Sequence, residues 1–185
     1  MVGAVLVNVL LTFAQVVGGI LSGSLSLVAD ALHNLNDAAS LGIALVARRI
    51  ARRPADSRRT FGYRRAEVIG AIINLTTLII VGLYLIYEAV SRYFDPRPIE
   101  GWVVVWVAGI ALAVDIVTAL LTFKLSKGNL NIRAAFIHNV SDALASVAVI
   151  VAGTLILLYD WYWADLAATV LISGYVLYQL SLIHI

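Results

Sequence analysis

His33-Asn34-Leu35-Asn36-Asp37-Ala38 and His138-Asn139-Val140-Ser141-Asp142-Ala143 spell one pattern, H-N-x-x-D-A, twice in the same chain. Each copy lies within a long apolar run, where an ionisable side chain is costly and marks function by default. Four residues is about one helical turn, so His and Asp share a face if both runs are helices. That condition decides the fold: two membrane helices, each offering an imidazole and a carboxylate, can supply four ligands to one divalent cation. Asp30, three residues before His33, joins the first cluster, with ligation and a supporting or packing role equally open.

The bulk composition agrees with a membrane setting. The 185 residues are 62% hydrophobic and 13% charged, with mean hydropathy +0.95, whereas soluble domains are about a quarter charged. Cysteine is absent, which removes disulfides and thiolate ligands. The first apolar run lacks a basic start and leads straight into a second, unlike a cleavable signal peptide. No nucleic-acid partner is expected, because the basic residues flank membrane-length segments.

A spanning helix needs roughly 20 apolar residues. Segments near 2–22, 25–48, 65–92, 101–123, 132–158 and 161–180 meet that need. The expected fold class is all-α: a polytopic membrane protein with six transmembrane helices and cytoplasmic termini. Asn8, Thr12 and Gln15 share one face of the first span, a side suited to other helices, and Gly19 and Gly23 have the spacing of close helix packing. Arg48, Arg49, Arg52, Arg53, Arg58, Arg59, Arg64 and Arg65 cluster between spans two and three, and Lys124, Lys127 and Arg133 flank the link between four and five. Only Arg92 and Arg97 fall on the opposite side, so the basic side is expected to face the cytoplasm. The same arginines could bind nucleic acid or lipid headgroups instead. Pro96 and Pro98 separate spans three and four, while Trp161, Tyr162 and Trp163, with Tyr84, Tyr87, Glu88 and Tyr93, suit interfacial anchoring. The tail 180–185, LSLIHI, resembles the translation of a library adaptor. It is expected to be non-native, so the fold is assigned to 1–179 and His184 has no role.

The second span cannot be explained by lipid alone. Its apolar residues contribute roughly −0.3 to −0.6 kcal/mol each, against about +3 for a central Asp. Two carboxylates nearly cancel that gain unless they face a cavity, pair, or hold a cation. His33, Asp37, His138 and Asp142 form an N₂O₂ set that suits zinc. Calcium or magnesium would want more oxygen, whereas cobalt or iron(II) would accept the same donors. Hydrogen bonding between helices is the plain alternative. Both ligand types must lose protons to bind metal, so a site alternating between two compartments exchanges metal for protons.

Three further stretches carry a family resemblance. Gly23-Ser24-Leu25-Ser26-Leu27-Val28-Ala29-Asp30-Ala31-Leu32-His33, Phe61-Gly62-Tyr63-Arg64-Arg65-Ala66-Glu67 with Gly70 and Asn74, and Asn131-Ile132-Arg133-Ala134-Ala135 leading to His138 resemble the cation diffusion facilitator family of divalent-metal transporters. The resemblance covers residues 1–179. It implies a homodimer in a bacterial inner membrane, exporting cytoplasmic metal against inward protons. It also implies that His33, Asp37, His138 and Asp142 form the transport site. Zn²⁺ is then a transported substrate rather than a catalytic cofactor, with cobalt, cadmium or iron as further cargo. Glu67 and Asn74 match positions where packing or gating is expected. Asp115 stands where such proteins often carry Asn; it could balance charge, take a proton, touch metal, or simply pack. The link 124–133 has no His-rich insert, and the family's soluble C-terminal domain is expected to be absent. The rival classes are a membrane-embedded His/Asp acyltransferase and a non-transporting structural protein. Enzymatic activity is not expected, because no nucleophile motif accompanies the two copies.

Overall fold

The computed structural model describes residues 2–54, 60, 62–125 and 130–183. Six helices follow in order: α1 (Val2–Ser22), α2 (Leu25–Ala51), α3 (Arg65–Phe94), α4 (Gly101–Leu125), α5 (Leu130–Tyr159) and α6 (Trp163–Ile183). They match the six expected spans to within a few residues, and the chain is an all-α polytopic membrane protein. By length and composition alone, Arg65–Phe94, Gly101–Leu121 and Phe136–Tyr159 qualify outright among the described residues. α2 is long enough, but Asp30, Asp37, Arg48 and Arg49 dilute it. The side chains of Asn8, Arg58, Arg59, Lys124, Lys127, Arg133 and the tail 180–185 lie outside the described residues.

The helices pack through small residues, which let backbones close up where lipid offers no hydrophobic drive between them. α4 and α5 pair most extensively, with Gly153 of α5 set close against Val104 and Val105 of α4. A Cβ at Gly101 would meet the Gly153 carbonyl at 2.8 Å. On α1, a Cβ at Gly19 would strike Val28 of α2 at 2.6 Å, and one at Gly18 would strike Val107 of α4 at 2.9 Å. On α1 the closely packed glycines are therefore Gly18 and Gly19. Gly23 serves the turn between α1 and α2, where its φ of +73° is a conformation other residues rarely adopt. Large apolar side chains such as Phe13, Ile20, Ile80, Leu83, Trp106 and Ile110 point outward, as a lipid-facing surface requires.

The end carrying Gly23, Pro96 and Trp161, taken as the outer end, is held by polar contacts. Ser24 caps α2, its hydroxyl accepting the Leu27 N–H at 3.1 Å. Asp165, in the first turn of α6 and fully buried, reinforces that cap. Its carboxylate accepts the Ser24 and Ser26 hydroxyls at 2.6 Å each and the Leu25 N–H at 2.8 Å. Arg92 donates to the Gly23 carbonyl at 2.6 Å and to Glu88 at 3.0 Å. Glu88, expected to anchor at the interface, is thus an ion-pair partner for Arg92, while Tyr93 stacks edge-on against Trp163 with ring centroids 4.2 Å apart.

Candidate metal centre

α2 and α5 touch only lightly, and the space between them is filled by the two H-N-x-x-D-A motifs. Within α2, His33 Nε2 lies 3.6 Å from Asp37 Oδ2. Within α5, His138 Nε2 lies 3.5 Å from Asp142 Oδ2. Across the gap, His33 Nε2 is 3.5 Å from Asp142 Oδ1, and His138 Nε2 is 3.2 Å from Asp37 Oδ2. Each imidazole therefore faces both carboxylates. The two rings stand 6.2 Å apart at 64°.

Those separations suit a shared cation. Four ligands at about 2.0–2.1 Å from a tetrahedral zinc lie roughly 3.3–3.4 Å from one another. The four imidazole–carboxylate separations, from 3.2 to 3.6 Å, bracket that edge, with Asp142 turning a different oxygen to each imidazole. One ligand atom each from His33, Asp37 and Asp142 lie within 4.8 Å of one another, a group that leaves His138 at its margin. Asp37 Oδ2, Asp142 Oδ1 and His33 Nδ1 are also buried without a hydrogen-bond partner. Leaving such atoms unsatisfied costs about 1–3 kcal/mol each, more for charged groups, and a divalent cation would satisfy the carboxylates. With neutral imidazoles and ionised carboxylates the cluster carries two negative charges, which one such cation cancels.

Exposure is uneven around the cluster. The His33 and Asp142 side chains are 9% and 10% exposed, those of Asp37 and His138 33% and 43%. Asp37 and His138 are therefore the more accessible pair of the four. A cavity of about 390 Å³ between α2 and α3, lined in part by Ser40, Asn74, Arg48 and Glu67, opens toward the basic end of the molecule.

The other candidate residues are placed elsewhere. Asp30 is fully buried, and its Oδ2 accepts from Gln15 Nε2 at 2.6 Å. Gln15 Oε1 in turn accepts from Asn34 Nδ2 at 3.1 Å, so this carboxylate is tied to α1 and to the Asn of the first motif. Asp115 Oδ2 accepts from Ser146 Oγ at 3.1 Å, linking α4 to α5. Asn74 Oδ1 accepts from Ser40 Oγ at 2.7 Å, within the α2–α3 seam. Sequence reasoning did not single out Ser146 or Asp165. Ser146 follows Asp142 by four residues on the same face, a signal that was present. Asp165 is a carboxylate opening an apolar segment, which is itself a flag.

Comparison with known proteins follows this geometry. The family profile described as the cation efflux transmembrane domain matches residues 1–183. A cadmium, cobalt and zinc/H(+)-K(+) antiporter of Bacillus velezensis is 42% identical over 165 residues, which is 88% of this chain and 53% of that protein. The zinc transporter ZitB of Pectobacterium atrosepticum is 40% identical over 178 residues, 96% of this chain and 56% of its own length. The metal cation efflux system protein CzcD of Cupriavidus metallidurans is 40% identical over 164 residues, 89% and 52% respectively. The chain spans about half the length of the curated relatives it matches.

Proposed function

The chain belongs to the cation efflux family, and from that premise we propose that it exports zinc from the cytoplasm in exchange for protons. The observation that carries this is the set of imidazole–carboxylate approaches that join His33, Asp37, His138 and Asp142 across α2 and α5. The names of the relatives, a zinc transporter and a cadmium, cobalt and zinc antiporter, support the same cargo. Cobalt, cadmium and iron(II) would be accepted less selectively by the same donors.

Exchange follows from charge. In a low-dielectric setting two carboxylates cannot stay ionised without positive charge nearby. A zinc ion supplies that charge, and protons supply it equally well. A neutral cytoplasm therefore favours the metal-bound state, and a more acidic exterior favours protons and release. Asp37 and His138, the more accessible pair, receive the ion, and His33 and Asp142, the more buried pair, hold it. Asp30 and Asp115 are assigned supporting roles outside the ligand set. We assign the activity to residues 1–179, working as a homodimer in a bacterial inner membrane with the arginine-rich side in the cytoplasm. No enzymatic step forms part of this proposal.

The test is zinc flux in vesicles reconstituted with the purified chain, driven by an imposed pH gradient. His33→Ala and Asp142→Ala should each abolish gradient-driven uptake while leaving membrane insertion intact. Wild-type flux in either variant would overturn the assignment.

A further inference from the structure

Eight arginines fall between positions 48 and 65, and a topology signal asks only that they lie on one side of the membrane. Four of them do more than that. Arg48, Arg52 and Arg53 at the end of α2 and Arg64 just before α3 line a single concavity of about 650 Å³, which also holds Tyr63 and Glu67. Among the described residues the arginine paired with a carboxylate is Arg92, at the far end of the bundle. The four arginines thus line one space, and Glu67 is the carboxylate-bearing residue beside them among the described residues.

A second feature lies beside it. Along the α2–α3 seam runs an apolar groove of about 560 Å³, walled by Val46 and Ile50 of α2 and Ile69 and Ile73 of α3. Its floor is cut by glycines: a Cβ at Gly42 would meet nothing within 4 Å, and Gly70 lies against Ala47 and Ile43. The groove ends at Ile50 and Ala66, which adjoin Ala51 and Arg64 of the concavity. The concavity sits at the helix ends, the level of lipid headgroups, and the groove extends into the level of acyl chains.

We propose that this pair of features is a site for one anionic phospholipid, its phosphodiester among Arg48, Arg52, Arg53 and Arg64 and one acyl chain in the groove. Guanidinium forks form paired hydrogen bonds with phosphate oxygens, and the cytoplasmic leaflet carries the anionic lipids that basic clusters attract. A free phosphate has the same oxygen chemistry but nothing with which to fill the groove. A zwitterionic lipid would bring an ammonium against four cations.

The 185-residue chain in neutral detergent should be titrated by native mass spectrometry with dioleoylphosphatidylglycerol, dioleoylphosphatidylcholine and inorganic phosphate. Phosphatidylglycerol adducts should form at about a tenfold lower concentration than phosphatidylcholine adducts, a modest return for four arginines at a charged surface. The combined R52Q, R53Q and R64Q changes should bring the two lipids to parity, whereas R97Q, at the outer end, should not. Filling the groove with Ile69→Trp should weaken phosphatidylglycerol binding with no change in charge. Equal binding of both lipids to the unaltered chain, or a preference that survives loss of the three arginines, would overturn the proposal. Millimolar inorganic phosphate that removes the preference, together with indifference to Ile69→Trp, would assign the concavity to a free anion and likewise refute the lipid site.

Discussion

Asp37 lies closer to His138 on the neighbouring helix, at 3.2 Å, than to His33 one turn away on its own, at 3.6 Å. The two motifs are therefore interlocked, because each carboxylate answers to the other helix's imidazole as well as its own. Neither helix carries all four groups, and the cluster exists only while α2 and α5 hold their register.

Asp37→Asn keeps the shape of the side chain and removes its charge, so it tests that interlock directly. Zinc affinity should fall by at least about a hundredfold, the upper end of what even supporting residues around a metal are worth. Isothermal titration of the purified chain would measure it. The imidazole nitrogen resonances of His138 should also move more than those of His33. An equal response from the two rings would contradict the cross-helix geometry.

Zinc affinity should depend on pH with a definite sign. Protons compete with metal for the imidazoles and carboxylates, so apparent affinity should rise with pH. Titrations at acidic and neutral pH would reveal the slope. A flat profile would mean that binding releases no protons and would remove the basis for exchange.

Asp30 and Gln15 should behave as a structural pair rather than as ligands. Gln15→Leu takes away the donor 2.6 Å from Asp30 and leaves a buried carboxylate unsatisfied. That should cost about 1–3 kcal/mol of stability. The double variant Gln15→Leu/Asp30→Leu should cost less than the sum of the two single changes, since the two share one interaction. Thermal melts in detergent would give the cycle. Zinc affinity should stay within about tenfold, the low end for a residue near but outside the ligands.

Asp165→Ala should be among the most destabilising single changes in the chain. It strips partners from two buried hydroxyls and a helix-end N–H. Loss of a cap costs about 1–2 kcal/mol, and each stranded buried group adds about 1–3. The midpoint of thermal unfolding should drop markedly while zinc affinity of the folded fraction is unchanged. A large change in affinity with an unchanged midpoint would show that Asp165 acts on the site instead.

The sequence made the helices legible because membrane spans announce themselves by length, and the repeated four-residue spacing brought His33, Asp37, His138 and Asp142 into one expectation. The partners of the remaining polar groups were not legible. Asp165 meets Ser24 across 141 positions, and Ser146 meets Asp115 across 31; those pairings follow from which helices are neighbours. Gln15 was placed on an inward face, but its choice of Asp30 depends on how closely Gly19 lets α1 approach Val28. Arg92 entered the sequence reading only as a charge on the side opposite the basic cluster, yet it closes the turn at Gly23.

The Asp165 knot gives α2 the mechanics of a lever riveted at one tip. At about 1.5 Å of rise per residue, His33 stands roughly 14 Å along the shaft from Ser24, and Arg48 roughly 36 Å. A swing of about ten degrees about the rivet carries Arg48 some 6 Å but His33 only about 2 Å. The far mouth would gape while the coordinating atoms shift just enough to slip beyond the roughly 0.2 Å tolerance of a metal bond. In such a swing, widening the far end and loosening the four-residue cluster would be one movement, read at two radii.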